Sequence, residues 1–195
     1  MKSGDLVICG NERGRIVNIT NLLAIFQAGS PNHWYGIEKT VIFAHLKRFI
    51  PLPVNDQGIC PALQEAVKKL PEIQEQLNQA LKALLPDEQP AKMIDNEIFL
   101  YHKSVSLTPV ISEVAAINGI HEIVAYAVTA WKHHPGSWEE PPDVSDTEIG
   151  TYQSQSQAIQ KAIETVFKLK QDDYWEQLAY QELANLYQKT CQFNP

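Results

Sequence analysis

The sequence predicts an α+β chain in which a small N-terminal β-barrel, residues 1–52, precedes a mainly α-helical domain, residues 61–195, with 53–60 as a linker. Three observations carry that expectation. Short apolar runs in the first fifty residues alternate on a period of two and are punctuated by Gly, Asn and Pro. Beyond Pro51 the apolar spacing changes to about three and a half. The charge changes as well, since residues 1–52 hold six Lys and Arg against three Asp and Glu, whereas the remainder holds ten against twenty.

Taken in order, Leu6–Cys9 reads as the first strand, Arg15–Ile19 as the second, Leu22–Gln27 as the third and Thr40–Phe43 as the fourth. In the third, Leu23, Ile25 and Gln27 alternate with Ala24 and Phe26, as the two faces of a curved sheet require. A long loop from Ala28 to Gly36 leads to the fourth strand. Residues Ala44–Ile50 then read as a helical turn followed by a closing strand.

Gly4-Asp5 ahead of a strand containing Val7, followed by the turn glycine Gly14 and Ile16, resembles the SH3-like barrels and, among them, the KOW variety. The resemblance covers residues 1–52 and implies a binding module, because such barrels recognise peptides, proteins or nucleic acids and seldom catalyse. Gly14 is expected to supply a backbone geometry closed to most residues. The candidate binding face is the loop carrying His33, Trp34 and Tyr35, beside the turn carrying Arg13 and Arg15. Aromatic rings on a loop give contact area at little entropic cost, and a guanidinium pairs a carboxylate or stacks on a base. The alternative use of Trp34 and Tyr35 is to cap the open end of a small barrel.

In the second half, Leu63, Val67, Leu70, Leu77, Leu81 and Leu84 predict a helix that ends at Leu85-Pro86, with Pro71 kinking or restarting it. Over 97–107 the run Ile98-Phe99-Leu100-Tyr101 fits a strand or a helix equally. Thr108-Pro109 predicts a helix start, with Val110, Ile111, Val114, Ala115 and Ile117 on its face and Asn118-Gly119 as its stop. Ile123, Val124, Ala127, Val128 and Trp131 predict another, running to His133-His134. Pro135–Gly150 reads as an exposed acidic loop with a capping box at Ser145-Asp146-Thr147-Glu148. Two further helices, over Ile159–Phe167 and Trp175–Tyr187 and separated near Lys170–Asp173, are expected to pack antiparallel. Such a helical domain also offers a surface for homo-oligomerisation.

The motifs of catalysis are missing. The sequence holds no GxxxxGK[ST], GxGxxG or GxSxG pattern, and His121, His133 and His134 lack the HExxH or ExxH spacing that puts metal ligands on one helix face. His133 and His134 are expected at a helix carboxyl end, where a cation meets the dipole favourably. Cys9, Cys60 and Cys191 are odd in number and far apart, which argues for reduced thiols over a disulfide framework or a zinc site. No catalytic, metal or cofactor site is therefore expected. The most apolar run, Ile117–Trp131, is too short and too polar to cross a bilayer, and Met1–Asp5 leads into a strand without a signal-peptide pattern, so the expected location is the cytoplasm, with no membrane partner.

These observations predict a non-enzymatic adaptor or regulatory protein that binds another protein through its barrel and helical body. The net charge of -7 disfavours a nucleic-acid partner. A nucleic-acid-associated factor using the KOW-like barrel, or an enzyme of unrecognised type, is the alternative.

Overall fold

The computed structural model describes residues 1–30, 33–134 and 143–191. They divide into two compact units, one formed by Met1–Gln64 with Ile111–Val124 and the other by Glu65–Val110 with Ala125–Pro195.

The first unit is built from short strands. Leu6–Cys9 (β1), Glu12–Ile19 (β2), Leu23–Ser30 (β3), the two-residue His33–Trp34 (β4), Lys39–Ile42 (β5) and Leu46–Ile50 (β6) follow one another, with a single 3-10 turn at Phe43–His45 before β6. The β2–β3 corner is fixed locally, because the Thr20 amide donates to the Leu23 carbonyl at 2.7 Å while the Leu23 amide donates to Thr20 Oγ1 at 3.0 Å. β1 pairs antiparallel with β2, placing Leu6 opposite Arg15, and β6 returns to the other side of β1, placing Arg48 opposite Val7. β3 pairs with β2, β4 and β5. The start of a long strand, Gly119–His134 (β10), lies parallel to β6, with Ile120 opposite Phe49.

Every second residue points to one face, and that face supplies the core: Val7, Ile16, Ala24, Phe26 and Leu46. Gly14 sits among them fully buried. A methyl group there would collide with the Gln27 carbonyl oxygen and the Phe26 ring, so this glycine provides room for the aromatic. Its φ is not left-handed, which corrects the expectation of a special backbone geometry.

Pro61–Lys68 (α1) runs from the first unit into the second, which goes on with Leu70–Leu84 (α2), Lys92–Ile94 (β7), Glu97–Leu100 (β8), the start of the long Val105–Ala116 (β9), the later part of β10, Asp143–Tyr152 (β11) and Gln155–Cys191 (α3), while Ile111–Val124 of β9 and β10 belongs to the first unit. Pro71 stands in the first turn of α2, where its missing N–H costs nothing, so it restarts the helix. The strands follow the order β7-β8-β9-β10, with β11 on β10. Leu70, Ile73, Leu77 and Leu81 from α2 meet Ile98, Leu100, Val105, Leu107, Tyr126 and Val128 from the sheet, and Ala158, Ala162, Ile163 and Val166 from α3 complete the cluster. Burying each large aliphatic side chain contributes about 1.5–3 kcal/mol, and this packing is what holds two amphipathic helices to one sheet face.

The expected mainly helical domain over 61–195 is overturned. Among the described residues more lie in strands than in helices, with eleven strands in one mixed sheet and three α-helices. The two helices expected on either side of Asn118-Gly119 are instead β9 and β10, joined by the turn Ile117-Asn118, with Gly119 opening β10 at φ +129°. The cause is compositional. Val105, Thr108, Val110, Ile111, Val114, Ile120, Ile123, Val124, Val128 and Thr129 are β-branched, which favours strands, and apolar residues on both sides of a strand recur at every spacing, including three and four. Residues 97–107 resolve as strand, loop and strand.

His133 and His134 lie in β10 opposite Val144 and Asp143, not at a helix end. The expected capping box, Ser145–Glu148, lies within β11, and of the expected acidic loop residues 135–142 fall outside the described residues. The two expected C-terminal helices are one, α3, because no Gly or Pro occurs between Gln155 and Cys191 to break it. Among the described residues, no helix is long and apolar enough to cross a membrane.

Candidate functional site

The alternation of β2 sends Arg13 and Arg15 to the face opposite the core, and that of β3 sends Leu23, Ile25 and Gln27 to the same side. Arg15 stands opposite Gln27. Its Nε and Nη2 both donate to Gln27 Oε1, at 3.1 and 2.9 Å, and its guanidinium lies over the Trp34 ring, 4.7 Å from the centroid. Pinned on one edge and stacked below, the fork keeps its remaining N–H donors for a ligand. Among the described residues no carboxylate pairs with it.

Trp34 reaches this position because β4 runs close against β3, with Gly29 opposite Trp34. A Cβ on Gly29 would lie 2.6 Å from the His33 carbonyl oxygen and 2.8 Å from Trp34 Cα, and the residue has φ +142°. Only glycine lets the two strands approach so closely. Gly29 thus positions the aromatic half of the cation–π pair.

The other expected site residues divide from this pair. His33 and Tyr35 flank Trp34 and alternate to the other side of the strand, where their rings associate at 5.8 Å between centroids, tilted by 32°. Tyr35 is 61% exposed. Arg13 is engaged from within its own unit: its Nη2 pairs with Glu113, its Nη1 lies 3.3 Å from Glu122, and its guanidinium covers the Phe49 ring at 4.6 Å. Glu122 also accepts the Leu52 amide at 3.1 Å. Arg13 is therefore neutralised by two carboxylates, and Lys39 is likewise paired with Glu12 at 2.9 Å. Of the five expected residues, the fold brings together Arg15 and Trp34, associates His33 with Tyr35 separately, and commits Arg13 to an internal ion pair.

Sequence reasoning missed Gln27 and Gly29, the residues that fix Arg15 and Trp34. It also missed the apolar cross-strand pair Leu23–Ile42, which borders the same face and remains 46% and 51% exposed. The signal for Gln27 was present in the alternation of β3, which set it beside Leu23 and Ile25. The register that puts it opposite Arg15 was not.

The second unit holds a separate group of titratable side chains. Glu88, whose side chain is 4% exposed, pairs through Oε2 with Lys170 at 2.8 Å, and the Lys170 ammonium lies 5.9 Å from the Tyr101 ring centroid. The Tyr101 hydroxyl donates to Asp173. Burial first, and then the adjacent Asp173 carboxylate, push the Tyr101 phenol well above its ordinary value. Tyr101, His102 and Lys103 take left-handed φ values of 48°, 53° and 71° in succession, a strained turn stabilised by the Ser104 amide donating to the Tyr101 carbonyl at 2.8 Å. The group braces the β8–β9 loop against α3.

Among the described residues, no three His, Cys, Asp or Glu side chains gather as metal ligands. His121 faces Ile50 across the β6–β10 ladder, with Nε2 buried and without a protein partner. No protein-family model matches the chain, and no curated protein and no solved structure matches it, so the arrangement of Arg15, Trp34, Gln27 and Gly29 is what characterises the site.

Proposed function

We propose that this is a non-enzymatic adaptor or regulatory protein, acting in the cytoplasm, that recognises another protein through the open face of β2 and β3. The observation that carries the reading is the Arg15 guanidinium, stacked on Trp34 at 4.7 Å and anchored to Gln27, with no carboxylate partner among the described residues. An aromatic and an arginine held rigid in the free protein lose little conformational freedom on binding, which is the property of interface anchors. Protein is favoured over nucleic acid because Arg13 and Lys39, which could extend a phosphate track, are already paired with Glu113, Glu122 and Glu12.

The test compares proteins captured from a cell lysate by the full-length chain and by its Trp34→Ala and Arg15→Glu variants, with circular dichroism to establish that each variant is folded. The partners recovered by the unaltered chain are expected to fall by about tenfold or more with either variant, as loss of an interface anchor implies. Equal recovery of every partner by all three proteins would reject the face.

A further inference from the structure

Resting on that reading, we infer that the partner presents an extended segment in which a carboxylate is followed, or preceded, by apolar side chains two and four residues away. The face itself sets that pattern. Gln27, Ile25 and Leu23 succeed one another along β3 on one side, with Arg15 opposite Gln27, Thr40 opposite Ile25 and Ile42 opposite Leu23. One end is therefore cationic and the other apolar. The distance from Gln27 to Leu23 is four strand residues, roughly 13 Å, and the facing side chains of an extended chain recur at the same step of roughly 7 Å. A helix advances roughly 5.4 Å per turn and falls out of step over the same distance.

Charge complementarity selects the acidic end. The Arg15 fork has N–H donors left after Gln27 is satisfied, in the geometry a carboxylate accepts in pairs. At the far end, Leu23 and Ile42 form an exposed cross-strand apolar pair, with Ile25 half-buried between them and the arginine. A polyanion would meet one cation and then hydrocarbon. A segment alternating between an acid and apolar residues meets complementary chemistry along its whole length.

The proposal is tested by fluorescence anisotropy with the full-length chain and synthetic peptides capped at both ends, carrying Asp-Ser-Leu-Ser-Leu and the reversed order in a Ser/Thr background. These are compared with peptides in which Asp is moved by one position, which turns its side chain to the opposite face of the strand. The in-register peptide, in one of the two orders, is expected to bind about tenfold tighter than its shifted partner, a difference that Arg15→Gln removes. Leu23→Ser and Ile42→Ser, both surface changes that leave the core intact, are expected to weaken the peptide several-fold.

Indifference to the position of Asp, or an unchanged preference in Arg15→Gln, overturns the inference. If that happens while lysate partners are still lost with Trp34→Ala, protein recognition stands and the extended acidic pattern alone fails. An oligothymidine that binds the same face more tightly than any peptide, with affinity falling steeply as salt rises, also overturns it in favour of nucleic acid.

Discussion

Among the described residues, fifteen buried side chains form one cluster in the second unit, drawn mostly from two helices and a sheet, whereas the first unit's cluster has five, with Phe26 its only aromatic. The smaller core is supplemented on the opposite face of its sheet by polar chemistry: Arg13 covers Phe49 and ties Glu113 and Glu122, and Glu122 also holds the Leu52 amide. The larger core has a polar brace at one loop, where Glu88–Lys170 and Tyr101–Asp173 hold three consecutive left-handed residues. A domain with little to bury thus depends more heavily on each member and on ion pairs that bind its strands together.

That contrast can be broken by truncating one core residue in each unit. Phe26→Ala is expected to cost about 3–5 kcal/mol and Leu77→Ala about 2–5 kcal/mol, with the phenylalanine the more damaging because it alone fills the space that Gly14 leaves open. Urea denaturation of both variants measures the difference. A Leu77→Ala variant clearly less stable than Phe26→Ala would remove the claim that the small core is the more dependent on single residues.

A smaller effect sharpens the role of the polar bracket. Arg13→Gln should lower stability by about 1 kcal/mol, after discounting for the half-exposed arginine and Glu113, and the gap between variant and parent should narrow as salt rises. Thermal unfolding at low and high sodium chloride reads it. An unchanged melting temperature at low salt would mean that Arg13 is available to a ligand after all.

The smallest effect concerns the second unit alone and appears only in alkali. Burial raises the phenols of both Tyr101 and Tyr126 above the ordinary tyrosine value of about 10. A folded value above the unfolded one adds stability that is fully present below about pH 10 and is lost as pH rises above it. Tyrosinate absorbance should show these two ionising above the ordinary tyrosine value, and Tyr101→Phe should delete one of the late steps. Ionisation of either phenol at the ordinary value would contradict the burial assigned to it.

Most strands of the first fifty residues were legible because each alternating run is short and bounded by turn residues such as Gly10-Asn11 and Thr20-Asn21, whereas the end of β3 and the two-residue β4 lie in the stretch that reads as a loop. The α2 stripe was legible for the same reason in another period, with Gln and Glu filling the faces that Leu70, Ile73, Leu77 and Leu81 do not use. The β9–β10 hairpin was not. Apolar side chains on both faces of a strand erase the period of two, and an Asn-Gly pair punctuates a helix as readily as a hairpin, so only β-branching remained as a signal. At the candidate site, residue types pointed to Arg15 and Trp34 by their chemistry. Which residues anchor them, and that Arg13 is neutralised by Glu113 and Glu122 a hundred residues away in sequence, depends on register and on long-range pairing that no local pattern encodes.

The short strand β7 has a consequence for solubility. Among the described residues it pairs only with β8, and all three of its residues, Lys92, Met93 and Ile94, are exposed. A free edge carrying Met and Ile is a template on which another molecule's strand could grow. Here the template ends after three residues in the Asp95-Asn96 turn, whose two left-handed residues swing the chain away, and it begins with a lysine whose charge repels a like copy. A fold committed to this much sheet stays open to selective contacts on its faces, while at this end its border is kept too brief to seed fibres.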